Sequence, residues 1–340
     1  MKFVSFATKV APERVGLLIN NEVIDLSACA AKIGLNLPVT MAEFLRGEDK
    51  SFDQAQKVHD AFLAGKVGKT LGRNSYRLLA PVPHPTSCRD AYAFRQHVAT
   101  ARRNRGLEMT PEFDQFPVFY FTNHNGIIGE GDVVVESDHL QQLDFELEAA
   151  IVIGRRGKNI KSSDADNYIA GFMVMNDLSA RLLQMEEMKL SLGPAKGKDF
   201  ATAIGPWLVT PDELESSTAK TPFGNTYDLR MTAYHEGKLI SVGNLKDMNW
   251  TFAEIIERAS YGVELLPGDV IGSGTVGTGC YLELNGSKAL RAKEMDEPFA
   301  PVWLAEGDTI ECEIAGLGRL KNRIVKATGH HSILERRKNV

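Results

Sequence analysis

Three acids stand at alternate positions in the run "QLDFELEAAIVIGRRG", Gln142–Gly157: Asp144, Glu146 and Glu148. Side chains of a strand point alternately to opposite faces, so the acids share one face and Leu143, Phe145 and Leu147 share the other. Glu146 and Glu148 would then lie about 7 Å apart along the strand. Carboxylates so close repel unless something sits between them. A divalent cation can fill that role. So can water, and alternation alone favours the solvated face of an antiparallel strand. The continuation "AAIVIG" is apolar without alternation, which predicts a strand buried on both faces. Acids that lead into such a strand need partners.

Candidate partners lie elsewhere in the chain. In "MNDLSARLLQ", Asp177 precedes Arg181 and Gln184 by four and seven residues, which places all three on one face of a helix beginning at Asp177. The plainer reading makes Asp177 a helix cap. "KGKDFATAIGPWLV" holds Lys198 among small residues, where a solvated lysine is the ordinary outcome. "CRDAYAFRQH" spaces Asp90 and His97 seven residues apart, two helical turns and roughly 10 Å on one face. "GCYLELNG" reads as a strand in which Glu283 faces away from Leu282 and Leu284. Taken one at a time, each of these has an adequate structural explanation without chemistry.

The elements that must position them are mainly strands. "KFVSFAT", "RVGLLIN" and "EVIDLS" read as short strands, followed by helices over "TMAEFLRG" and "SFDQAQKVHDAFLAGKVG". Pro81, Pro83 and Pro85 predict an extended linker and a domain boundary near residue 80, dividing 1–80 from 81–340. Beyond it, strands are expected at 117–122, 131–136, 143–154, 170–176, 206–210, 227–235, 268–273, 280–285, 308–315 and 322–327. Helices are expected near 90–103, 178–189 and 252–260, the last with Thr251 and Glu254 at capping-box spacing. The tail "ERRKNV" is expected to fray. The lack of regular βα alternation beyond residue 80 argues against a Rossmann or TIM-barrel fold.

Composition narrows the function. The 340 residues carry a formal net charge of −5, which disfavours a nucleic-acid partner. No apolar run reaches membrane-spanning length. The start shows no signal-peptide pattern, and Cys29, Cys88, Cys280 and Cys312 lack metal or disulfide spacing. These features predict a cytoplasmic protein with reduced, packing cysteines.

Read in order, E-x-E, N-D-x-S-A-R, G-K-x-F and the closing G-x-G-x-L-x-N resemble the fumarylacetoacetate hydrolase superfamily over about residues 80–330. The resemblance implies an α+β, mainly β fold. Its catalytic part would be a mixed β-sandwich roll that pairs as a homodimer, with a small, β-rich, barrel-like amino-terminal domain. It implies that Asp90, Glu146, Glu148 and Asp177 hold Mg²⁺, with Ca²⁺ or Mn²⁺ as alternatives, and that Asp144 is a neighbour. It implies a catalytic His97 oriented by Glu283, an oxyanion-stabilising Lys198, and substrate contacts from Tyr92, Tyr120, Arg181, Gln184 and Thr275. One arginine among Arg102, Arg103 and Arg105 is expected to hold a substrate carboxylate. "RDAYAFRQH" is similar to the hydrolase branch. The implied reaction is therefore metal-dependent hydrolysis of a C–C bond in a small 1,3-diketone acid, an acylpyruvate or a fumarylacetoacetate-like compound, in aromatic-compound catabolism. The alternative is oxaloacetate decarboxylation, or hydration or isomerisation of a 2-keto acid.

Overall fold

The computed structural model describes residues 1–68 and 70–335. Of the charged tail, only Glu335 is among them, so the expected fraying of 336–340 lies outside the described residues. Helix is nearly as abundant as strand, giving a mixed α+β fold.

One open sheet runs through the molecule in the order Glu22–Asp25, Arg14–Ile19, Lys2–Ala7, Thr202–Val209, Ile169–Asp177, Leu147–Ile153, Val270–Gly272, Cys88–Ala91, Phe119–Thr122. A five-stranded sheet packs over it: Lys238–Asn244, Arg230–His235, Thr309–Ile314, Gly318–Lys326 and Gly131–Val135. The central strands are buried on both faces, as "AAIVIG" predicts. Ile151, Phe172 and Val174 pack towards Met231, Ile310 and Leu320 of the second sheet. Ala150, Val152, Met173 and Met175 pack on the other face with Phe3, Phe44 and Val58 of the amino-terminal segment. Burying each such large apolar side chain stabilises the fold by about 1.5–3 kcal/mol.

The amino-terminal strands do not close a barrel. Lys2–Ala7 pairs directly with Thr202–Val209, Phe3 opposite Leu208, so these strands extend the main sheet. The main sheet thus runs across residue 80, and the division into 1–80 and 81–340 stands as a proposal about folding units.

Three local expectations are corrected. The segment 280–285 is not a strand: Tyr281–Glu294 is a helix, rich in the helix formers Leu, Glu, Lys, Ala and Arg. Its first two amides, Tyr281 and Leu282, donate to the Asp144 carboxylate, a cap supplied from far away in sequence. Asp90 and His97 do not share a helix. Cys88–Ala91 is a buried strand between Val270–Gly272 and Phe119–Thr122, and the helix begins only at Arg95. Asp177 does not start a helix either. It ends the strand Ile169–Asp177, and the helix Arg181–Met188 follows a short bridge.

Candidate metal centre and active site

The strand expected over 143–154 breaks in the middle. Leu143–Asp144 pairs with Ser179–Ala180, and Leu147–Ile153 pairs with Ile169–Asp177. Glu146 sits at the break, where its amide donates to Asn176 Oδ1 at 3.1 Å. Alternation then places Glu148 on the same face as Ala150 and Val152, and Asp177 on the face of Met173 and Met175. Asp90 arrives from the neighbouring side of the sheet, opposite Gly272 and Tyr120. A Cβ at Gly272 would lie 2.5 Å from Asp90 Oδ1, so the missing side chain makes room for that carboxylate. Gly274 has φ +79° and donates its amide to both Asp90 Oδ1 at 3.1 Å and Glu148 Oε2 at 3.0 Å. A side chain there would meet the Ala91 carbonyl at 2.6 Å.

These geometries bring one oxygen from each of Asp90, Glu146, Glu148 and Asp177 within 4.8 Å of the others. All four residues are buried, so none of the acids is the solvated face of a strand. Two buried cations accompany them. Lys198 Nζ donates to Glu146 and, at 2.8 Å, to Asp177 Oδ2. Arg181 donates Nη2 to Glu146 at 2.7 Å, Nη1 to Gln184 Oε1 at 2.9 Å and Nε to Asp144 Oδ2 at 2.8 Å. Tyr120 donates its hydroxyl to Asp177 Oδ2 at 2.6 Å, and Thr275 Oγ1 reaches Glu148 Oε1 at 3.5 Å.

With Asp144 included, five buried carboxylates face two cations. The excess appears in the acidities. Burial, then the Asp177 charge, pushes Asp90 up to about 7. Burial, then Asp90 and Glu146, pushes Glu148 well above the carboxylate range. Burial also raises Asp177, against the opposing pull of Lys198. Glu146 moves the other way: burial would raise it, but Lys198 and Arg181 outweigh burial and hold it at about 2. An all-oxygen donor set with surplus negative charge is what a hard divalent cation such as Mg²⁺, Mn²⁺ or Ca²⁺ fits.

Beside this cluster, His97 Nδ1 and Glu283 Oε2 are 2.7 Å apart and both residues are buried. Thr278 also donates its amide to Glu283 Oε2 at 3.0 Å. Asn104 Nδ2 donates to the Glu283 carbonyl at 3.0 Å, tying the His97 helix to the Glu283 helix. Cys280 lies against His97 and Glu283, and burial pushes its thiol well above its ordinary range.

A cavity of about 990 Å³ opens over this floor. Asp90, Tyr92, His97, Tyr120, Glu146, Arg181, Gln184, Lys198 and Thr275 all reach its wall; Glu148, Asp177 and Glu283 lie behind it. Of the three candidate arginines, Arg102 and Arg105 line the cavity and Arg103 does not.

Two residues escaped the sequence reading. Asp144 was expected only as a neighbour, yet it joins Arg181 to the start of the Glu283 helix. Glu187 accepts the amides of Ala195 at 2.9 Å, Lys196 at 2.6 Å and Gly197 at 3.2 Å, pinning the loop that delivers Lys198. Neither has a local motif. The only signal for Asp144 was its place in the acid alternation.

Known proteins share this fold. The family model described as "Fumarylacetoacetate (FAA) hydrolase C-terminal" matches residues 86–325. "Oxaloacetate tautomerase FAHD2B, mitochondrial" from Bos taurus is 30% identical over 329 residues, 96% of this chain and 92% of that protein. The fumarylacetoacetate hydrolase of Exiguobacterium antarcticum superposes with a TM-score of 0.66 at 24% identity, covering 96% of this chain and all of that one. So does the maleylpyruvate hydrolase of Sphingobium sp. SYK-6 in complex with manganese(II) and pyruvate, with a TM-score of 0.66 at 21% identity and coverage of 96% and 100%. By the extent of the family match and the shared fold, this chain belongs to the fumarylacetoacetate (FAA) hydrolase C-terminal family.

Proposed function

We propose that this chain is a divalent-metal-dependent enzyme that moves a proton on an enolisable 2-keto acid, interconverting the keto and enol forms of oxaloacetate or a close analogue. The observation that carries this reading is the buried His97–Glu283 pair beside the four-carboxylate cluster, both at the floor of one cavity. The relatives named as oxaloacetate tautomerases move the assignment from C–C hydrolysis, which the motifs put first, to the isomerisation alternative. Held by Asp90, Glu146, Glu148 and Asp177, a Mg²⁺ ion, or Mn²⁺ or Ca²⁺ in its place, would supply Lewis acidity to the keto and carboxylate oxygens.

The rest is the work of side chains. Glu283 accepts from the His97 ring at Nδ1, which leaves Nε2 as the acceptor that takes and returns the proton. Glu283 also stabilises the imidazolium formed midway. Lys198 is held protonated: burial would lower it, but Asp177 and Glu146 raise it above its ordinary value. Its positive charge then faces negative charge developing on an enolate oxygen. Tyr92, Gln184 and Thr275 are assigned to hold the substrate. The test follows the ultraviolet absorbance of enol-oxaloacetate. Metal-loaded enzyme is expected to accelerate its decay, and chelation to abolish the effect. No acceleration with any divalent ion overturns the reading.

The cavity volume favours a second reading, hydrolysis of an acylpyruvate, because it holds more than a four-carbon acid and leaves space for a water that His97 could activate. Products separate the readings. Hydrolysis of an acylpyruvate yields pyruvate and a free acid, decarboxylation of oxaloacetate yields CO₂, and tautomerisation breaks no carbon–carbon bond. Homodimer assembly and a cytoplasmic location belong to the same proposal; sedimentation and fractionation test them. No helix among the described residues is long and apolar enough to cross a membrane.

A further inference from the structure

Three helices start at the acid-lined floor and run outward along the cavity: Arg95–Arg103, Arg181–Met188 and Tyr281–Glu294. Each turns one face inward at helical spacing. Val98, Ala101 and Arg102 do so on the first. Arg181, Gln184, Met185 and Met188 do so on the second, and Leu282, Asn285, Gly286 and Ala289 on the third. Positions i to i+7 span about 10 Å along a helix axis. Chemistry changes over that distance. On the second helix, Arg181 and Gln184 at the floor give way to Met185 and Met188. On the first, His97 gives way to Val98 and Ala101. On the third, Gly286 packs against Asn104 and Ala289 presents only a methyl group, while Phe113, Phe116, Phe299 and Trp303 close the sides.

Oxaloacetate has nothing to place on such a wall, since both of its ends are carboxylates. Beyond the floor, charge on the cavity wall is confined to Arg102, Arg105 and Glu112. Arg102 donates Nε to the Glu108 carbonyl and Arg105 donates Nε to the Ala101 carbonyl, and Arg105 is exposed. Apart from these groups and the amides of Asn104 and Asn285, which donate to the Glu283 and Val302 carbonyls, the wall is mainly carbon and sulfur.

We propose that the preferred substrate is a 2-keto or 2,4-dioxo acid whose head sits on the charged floor and whose far end is an uncharged apolar tail, an alkyl chain of about four to six carbons or one aryl ring, matched to the two-turn wall. The inference rests on the reading of the floor as a keto-acid site and adds the identity of the tail.

The experiment is calorimetry on the full-length, Mn²⁺-loaded protein. Oxalate serves as the head alone, followed by 2,4-dioxo acids ending in methyl, propyl, pentyl and phenyl groups, and by one chain as long as the pentyl compound but ending in a carboxylate. Affinity is expected to rise about two- to fourfold per methylene up to pentyl. The carboxylate-ended chain is expected to bind more weakly than the pentyl one. Met188→Ser and Met185→Ser are expected to flatten the rise per methylene, read as the slope of the series in each variant. Oxalate binding with a flat series, or a carboxylate-ended chain that binds best, overturns the tail inference and leaves the floor reading intact. Absence of Mn²⁺-dependent oxalate binding overturns both.

Discussion

Arg181 Nε donates to Asp144 Oδ2 at 2.8 Å, an ion pair with both partners buried. Asp144 also receives the Tyr281 amide at 2.7 Å and the Leu282 amide at 2.9 Å. One carboxylate therefore neutralises the guanidinium that braces Glu146 and anchors the positive end of the helix that carries Glu283. It couples the acid cluster to the His97–Glu283 pair without being counted among the clustered oxygens.

Asp144→Asn is expected to cost about 3–5 kcal/mol of stability, because it leaves the Arg181 charge buried with a weakened partner. Denaturant unfolding of the metal-free protein measures this. The variant should still bind one divalent ion per chain. A loss below about 1 kcal/mol would mean that the pair is not the joint described here.

Glu146→Gln, Glu148→Gln and Asp177→Asn each remove one charge with little change of shape. Each is expected to lose divalent-ion affinity by at least about tenfold, equivalent to about 1.4 kcal/mol. Titration calorimetry with Mg²⁺ and Mn²⁺ reads the effect, and unchanged affinity in all three variants would remove the assignment of the cluster as a metal centre.

His97→Ala is expected to bind the ion and the substrate head normally and to lose about 10²–10⁴ in turnover, the usual cost of removing a general base. Glu283→Gln should lose less, since an amide can still hold the ring but cannot stabilise the imidazolium. Equal turnover in wild type and His97→Ala would place the proton transfer on another group.

Asp90 at about 7, and Glu148 and Asp177 above their ordinary values, keep protons in the folded protein that the unfolded chain releases near pH 4. The native state thus binds more protons between about pH 4 and 7, and metal-free stability must fall as pH rises through that window. Glu146, held at about 2, is ionised throughout the window and does not change the sign. Thermal melts of the chelated protein are expected to show a lower Tm at about pH 8 than at about pH 5. Added Mn²⁺ should raise Tm more at the higher pH, and Asp90→Asn should reduce the slope. A metal-free Tm that climbs over the same range would contradict the burial argument.

What could be read without coordinates was local or motif-borne. The double burial of Leu147–Ile153 followed from an apolar run without alternation, and the Thr251–Glu254 capping box from a three-residue spacing. The four clustered acids came from motif resemblance, because alternation by itself pointed to solvent. Tertiary structure decided the rest. Leu282 and Leu284 around Glu283 fit a strand pattern, yet the segment is helical because Asp144 caps it from 137 residues away, beyond any local window. Asp90 and His97 fit one helix, yet Asp90 is drawn into the sheet by pairing with strands on both sides. Residue types and spacings determined which groups were available. Long-range backbone pairing and the cost of burying charge without a partner determined which of them meet, and where the cavity opens over them.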